Sequence, residues 1–551
     1  MKKNILILFA ALLLVAAAVG AYFWANAIMD SLFDYRSPLA ENPPSPGKPV
    51  GEPLTGRVVI ILVDGLREDT AMKTHVMPYL DTLRQQGAWA TMRSRTPSYS
   101  APGWATILTG AWPTLNDGQS ANPPDFDSVR AITQDNIFSA ADRAGFQTAV
   151  SGFDWFDGML AASGLDAGFY TQSEDNAADT NVMEAAKSYL QDSSYQLVLV
   201  HFDQVDYAGH QEGGPQGPNW DPAAARADSM IEELVSQLDL GQDTVLIFSD
   251  HGHIDAGGHG GQDAVTLAEP FVMVGKAVVP GRYPDIQMVD IAPTVTTLLG
   301  TNLPASNQGQ VLTKMLNLSP TQTEAVHQAL LAQQAAMVSQ TLTAVSLEAP
   351  AQAPQSAADY QSVLETAFAQ RIKQERIPRG IAAGLVFLLL AGIIVYKRNR
   401  ATPWLFGGAL LYMIIFNIIY AWIVGKTYSL SSVYSADDLI LSTALYTAIS
   451  LLVTWLAVML GQRAFSQGAA SAAQMTLKLS LTILFLLMIP IMWNYYNNGL
   501  VISWTLPDFL PMFLGFLSLI QALIASVLSL LLAGIAALTA KIIGGKQPKT
   551  I

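Results

Sequence analysis

The chain has 551 residues, too many for one ordinary domain. A formal net charge of −14 beside 51% hydrophobic residues points to an acidic soluble part joined to a membrane part, and argues against a nucleic-acid partner, because phosphate backbones need a basic surface. Cysteine is absent, so there is no disulfide and no thiol nucleophile, and any metal must be held by Asp, Glu and His.

In chain order, an apolar run at residues 4–26 follows Lys2 and Lys3. It has the length of a bilayer span, about 20 residues. A cleaved signal peptide is the competing reading, with Ala25-Asn26-Ala27 as its cleavage site. A retained anchor over 1–28 is expected, with the lysines inside and the following chain exported. Residues 29–56 form a Pro-rich linker. Strands are expected at 57–65, 195–203 and 243–250, with helices such as 222–238 between them. Continuous β-branched runs alternating with helices predict an α/β domain with a mainly parallel sheet between helices, over 57–318. A helical stalk follows over 319–379, with Ser319 or Thr321 as N-cap and an Ala/Pro/Gln stretch at 348–356. The region 380–545 predicts an all-α, five-helix transmembrane region, with spans at 380–396, 403–424, 438–460, 479–495 and 508–540. The last is long for one span, and a break is expected near Gly515. Basic residues at 397–400, Arg463, Lys478 and the tail all fall inside if the chain starts inside. The chain is therefore expected to be a multi-pass protein of the cytoplasmic membrane, in contact with membrane lipids, with its soluble domain on the extracytoplasmic face.

Three expected strands end in chemistry-bearing residues. Asp64 closes the first, Asp206 and His210 follow the second, and Asp250 and His251 close the third. His259 sits in a Gly-Gly-His-Gly-Gly stretch, where glycines bring an imidazole close to an ion. Five of the seven histidines fall in 201–210 and 251–259. Open α/β sheets gather ligands at the carboxyl ends of strands. The six residues offer N and O donors only, which suits Zn²⁺ or Mn²⁺, and six ligands are about what a two-metal phosphoryl-transfer site needs. His201 and His253 are read as packing or supporting groups. A nucleophilic hydroxyl is expected in residues 95–110, where Thr96, Ser98 and Ser100 are all open on spacing alone.

Together, Val63-Asp64-Gly65, residues 100–110 (SAPGWATILTG), 206–210 (DYAGH), 249–252 (SDHG), 257–261 (GGHGG) and 290–300 (DIAPTVTTLLG) resemble the alkaline phosphatase superfamily, in its type I phosphodiesterase/nucleotide pyrophosphatase branch. The layout resembles glycosylphosphatidylinositol ethanolamine-phosphate transferases. The resemblance implies an alkaline-phosphatase-like domain with Ser100 as nucleophile. It implies one metal on Asp64, Ser100, Asp250 and His251, and a second on Asp206, His210 and His259. The implied activity is a metal-dependent phosphodiesterase or phosphotransferase working through a seryl phosphate on a phosphoester, with a lipid-linked substrate in view. A phosphoethanolamine-type transferase is the first alternative, and a membrane scaffold with an inactive domain the second. A sulfatase is disfavoured, because Ser100-Ala-Pro-Gly-Trp104 lacks the Arg of that setting.

Overall fold

The computed structural model describes residues 2–349 and 354–545; the stretch 350–353 and the basic tail beyond Gly545 lie outside the described residues. The chain divides into two compact units.

The soluble unit, centred on Phe33–Gln370, is built on a nine-stranded mixed sheet in the order β4-β3-β5-β1-β6-β7-β2-β8, with β9 on β2. The strands are β1 Arg57–Val63, β2 Ala88–Arg93, β3 Gln147–Phe153, β4 Ala167–Thr171, β5 Tyr195–Phe202, β6 Asp243–Phe248, β7 Ala268–Gly275, β8 Gly281–Arg282 and β9 Ile286–Gln287. From β4 to β6 every neighbour is parallel; β7 then runs antiparallel to both β6 and β2.

The central strand shows why its sequence is apolar throughout. Val58, Ile60 and Leu62 enter one core with Leu199 and Phe248, while Val59, Ile61 and Val63 enter the opposite core with Val200 and Ile247. Side chains alternate across a pleat, so a strand covered on both faces needs apolar residues at every position. Helices Asn176–Gln191 and Trp220–Val235 cover one face; Ser100–Thr109 and Ile291–Leu299 cover the other. Ser319 caps the helix Pro320–Ala344 through a capping box with Gln322.

The other unit holds the helices Lys2–Phe33, Thr402–Asn417, Ala436–Gly461, Ala469–Asn498 and Phe509–Gly545, and most of Ala357–Tyr396. Six helices among the described residues are long and apolar enough to cross a membrane. Two details differ from the sequence expectation. The polar segment before residue 379 and the first C-terminal span form one continuous helix of 40 residues, Ala357–Tyr396. The final helix also runs unbroken through Gly515. A Cβ there would lie 2.5 Å from the Asn494 Cβ, so this glycine allows a close approach of two helices rather than a break.

Candidate metal centre

Strand order assembles the site. β5, β1 and β6 lie side by side in parallel register, with Val63 opposite Phe202 and Leu62 opposite Phe248. Their carboxyl ends therefore deliver Asp64, Asp203 and Asp250-His251 to one edge of the sheet. The helix Gln204–Gln211 starts at that edge and presents Asp206 and His210 one turn apart. The loop after β6 returns His253 and His259 to the same place.

Three groups of ligand atoms result among the described residues, the atoms of each lying within 4.8 Å of one another: Asp64, Asp250 and His251; Asp206, His210, His253 and His259; and Asp64, His201 and Asp203. The His251 and His259 rings stack at 3.7 Å and join the first two. All six residues singled out in the sequence are here. Ser100 begins its helix, and its Oγ lies 3.2 Å from His251 Nε2. The other two hydroxyls serve the glycine loop: Ser98 Oγ donates to the Gly261 carbonyl at 2.9 Å, and Thr96 Oγ1 donates to it at 3.4 Å. Gly260 is needed in that loop at φ +104°, where a Cβ would come within 2.2 Å of the Tyr99 ring.

Hydrogen bonds orient the donors. His259 Nδ1 donates to the Ser98 carbonyl at 2.9 Å, leaving its Nε2 lone pair aimed at His210 Nε2, 2.8 Å away. His253 has the opposite tautomer. Its Nδ1 accepts from Gly258 N–H at 2.9 Å, so Nε2 carries the proton and donates to Asp206 Oδ1 at 2.7 Å. His253 therefore positions a carboxylate, although it lies within ligand distance. Burial pushes its pKa down to about 4, which keeps the ring neutral. It fits because Gly209 has no side chain; a Cβ there would sit 2.3 Å from the ring. His201 Nε2 meets Asp64 Oδ2 at 2.9 Å. Trp104 Nε1 donates to Asp250 Oδ2 at 2.8 Å, and the amides of His251 and Gly65 donate to Oδ1 at 3.0 and 3.3 Å.

The donor set fits divalent cations. Asp64, Asp203, Asp206 and Asp250 are all buried at one sheet edge. Burial and the neighbouring Asp64 charge push the Asp203 and Asp250 carboxyls well above the usual range. Burial also raises Asp206, but His210, His259 and His253 outweigh it and hold this carboxyl well below. Burial lowers His251, yet Asp250, Asp64 and Asp206 drive it up to about 10. Asp64 Oδ1 is buried and makes no well-aligned hydrogen bond, with His251 Nε2 3.2 Å away. Cations between these groups would satisfy that oxygen, the facing imidazole nitrogens and the crowded carboxylates together.

Sequence reasoning missed Asn122. Its Oδ1 accepts from the Ala101 amide at 3.0 Å, which brings its carboxamide beside the nucleophile candidate. No local pattern flags an Asn in a loop 22 positions downstream. Trp104 lay inside a motif, but its bond to Asp250 was not foreseen.

Comparison with known proteins matches residues 58–378 to the type I phosphodiesterase/nucleotide pyrophosphatase model, more than half of the chain. The chain belongs to that family. Its mainly parallel mixed sheet between helices is the α/β architecture that the sequence implied. Among curated relatives, the mouse GPI ethanolamine phosphate transferase 3 catalytic subunit is 27% identical over 289 residues, covering 47% of this chain and 26% of the relative. The human GPI ethanolamine phosphate transferase 2 catalytic subunit is 24% identical over 280 residues, covering 47% and 28%. The chain thus spans about a quarter of the length of these relatives. Among solved structures, murine ectonucleotide pyrophosphatase/phosphodiesterase 5 is 13% identical with a TM-score of 0.39, covering 45% of this chain and 96% of that one. The alkaline phosphatase PafA is 12% identical with a TM-score of 0.41, covering 48% and 99%.

Proposed function

We propose that this family member is a membrane-anchored, metal-dependent phosphodiesterase or phosphotransferase acting through Ser100. The observation that carries the reading is Ser100 Oγ at the start of a helix, 3.2 Å from His251 Nε2 and facing two adjoining Asp/His groups. Asp64, Ser100, Asp250 and His251 would hold one divalent cation, and Asp206, His210 and His259 the other, with Zn²⁺ preferred over Mn²⁺. When bound, the cations neutralise phosphate oxygens and lower the pKa of the Ser100 hydroxyl.

Ser100 Oγ attacks phosphorus, giving up its proton to water. The new O–P bond forms as the bond from phosphorus to the leaving oxygen breaks, and that oxygen takes up a proton. An acceptor hydroxyl then attacks the seryl phosphate, and Ser100 leaves with a proton regained. Asn122, whose Oδ1 is taken by the Ala101 amide, has its Nδ2 placed to hold a non-bridging oxygen through the sequence. Water as acceptor gives a diesterase. A lipid or glycan hydroxyl gives a transferase, a reading favoured by the names of the curated relatives, which are phosphoethanolamine transferases. The basic segments after the spans favour the cytoplasmic membrane, with the soluble domain on the extracytoplasmic face.

The test is metal content and turnover of bis-p-nitrophenyl phosphate against p-nitrophenyl phosphate by the full chain in detergent. Near two ions per chain and diester turnover, abolished in Ser100→Ala, are expected. Folded chain with neither metal nor turnover overturns the reading.

A further inference from the structure

The helix Ala357–Tyr396 belongs to the soluble unit as far as Gln370 and to the membrane unit from Arg371 onward. At that passage it carries four cations, Arg371, Lys373, Arg376 and Arg379, around one carboxylate, Glu375. Its other end runs into Lys397, Arg398 and Arg400. One span therefore has basic residues at both ends. A bias that retains basic residues on one side of a membrane explains one end only. Glu375 pairs with Arg371 at 3.2 Å and with Arg379 at 2.7 Å. Arg379 also donates to the Asn497 carbonyl at 3.3 Å and so ties this helix to the end of the helix Ala469–Asn498. Lys373 and Arg376 form no ion pair among the described residues. Their spacing of three places them on one helix face. Lys373 is exposed. The Arg376 guanidinium lies 5.7 Å from the centroid of the Tyr496 ring, and its Nε is shielded from solvent without a hydrogen-bond partner. Gly380 leaves room for that ring, since a Cβ there would lie 3.3 Å from it.

Aromatic rings mark the same level as a membrane boundary. Trp493 and Tyr496 are exposed, and Trp24, edge-on to Tyr495 at 6.4 Å, donates to the Leu500 carbonyl at 2.9 Å. Trp and Tyr gather where the polar and apolar layers of a bilayer meet. Just beyond the cations the helix is apolar and uncovered: Ile377, Ile381, Leu385, Leu388 and Leu389 each keep at least 60% of their surface exposed. Two unpaired cations thus stand at the head of an open apolar face. A free phosphate ion would use the cations and leave the face bare. A neutral acyl chain would use the face and leave the cations bare. A phospholipid uses both. Guanidinium and ammonium donors make their strongest hydrogen bonds to phosphate oxygens. A head group of net negative charge suits two unpaired cations better than a zwitterionic one, which brings its own cation against them.

We propose that Lys373 and Arg376, beside the Tyr496 ring, hold the head-group phosphate of an anionic phospholipid whose chains lie along the apolar face of the same helix. The site lies wholly in the membrane unit and uses no residue of the metal centre, so its lipid is a retained ligand and not the phosphoester that Ser100 attacks. The test titrates the full chain in detergent with dioctanoyl phosphatidylglycerol or dioctanoyl phosphatidylcholine and follows the thermal midpoint. Phosphatidylglycerol is expected to raise the midpoint at about tenfold lower concentration than phosphatidylcholine. Arg376→Gln and, separately, the exposed Lys373→Gln are each expected to move the phosphatidylglycerol curve about fivefold to higher concentration and to leave the phosphatidylcholine curve in place. Arg398→Gln removes the same charge at the other end of the span and should move neither curve. Equal curves for the two lipids, curves unmoved by both variants, or the same shift from Arg398→Gln overturns the site. Full stabilisation by glycerol phosphate, which carries the phosphate without chains, overturns it as well.

Discussion

The two units bury polar groups in opposite ways. In the soluble unit, buried carboxylates and imidazoles crowd one sheet edge, with Asp64, Asp203, Asp206, Asp250, His251, His253 and His259 all inside. Among the described residues of the membrane unit, buried polar side chains are neutral: Thr443, Ser450, Thr454, Asn494, Gln521 and Ser526 are examples, and no charged residue is buried with them. Lys426 pairs with an Asp438 that keeps 42% of its side chain exposed. Neutral hydroxyls and amides tie helices together at small cost, as Tyr412 does by donating to Gln521 Oε1 at 3.0 Å. Concentrated buried charge costs far more and persists only where something compensates it. The contrast separates a region built for chemistry from one built for packing.

If that division is right, substitutions should grade steeply across the molecule. Asp250→Ala and Ser100→Ala should each lower diester kcat/KM by about a thousandfold or more. They should differ in metal content by elemental analysis, with the aspartate variant losing an ion and the serine variant keeping most of its metal. Chelation should come next, lowering unfolding free energy by about 4 kcal/mol where free metal had stood a thousandfold above its Kd.

The stripped chain should also acquire a pH dependence. His251 has a folded pKa of about 10 against 6.5 unfolded, so its protonated form contributes stability that is complete below about pH 6.5 and is lost as pH rises through 10. Denaturation of the metal-free chain at pH 6 and pH 9.5 should show the loss, and the loaded chain should not, because a metal-bound imidazole has no proton to lose. His253→Ala frees Asp206 to turn, and should weaken metal binding by about 10- to 100-fold, read by competition with a chelating dye. Smallest of all, Tyr412→Phe should cost the membrane unit about 0.6 kcal/mol and leave turnover untouched. A large activity loss from Tyr412→Phe would erase the division.

The sequence displayed the site unevenly. Asp64 and Asp250-His251 were legible because apolar strand runs end on them, and Asp206 and His210 because four residues make one helical turn. Asp203 closes the second expected strand just as Asp64 closes the first, but it was not counted among the ligands. Asn122 escaped because its closeness to Ser100 depends on a loop fold, which no local period records. Spacing alone left Ser100, Thr96 and Ser98 open and the family resemblance preferred Ser100; the glycine loop claims the other two hydroxyls. The continuous helix Ala357–Tyr396 was divided at residue 379 because composition changes from polar to apolar there, although nothing stops the backbone.

The centre draws its ligands from Asp64 to His259, a separation of 195 positions, and from three strands that become neighbours only when the sheet closes. No shorter stretch of chain holds a complete set for both ions. The set Asp64, Asp250 and His251 cannot assemble before β1 and β6 pair, so loading of that ion is expected to be late. Metal uptake should then lag behind strand assembly during refolding. On the proposed ligand assignment the ions would act as a seal on a finished sheet and would not guide its construction.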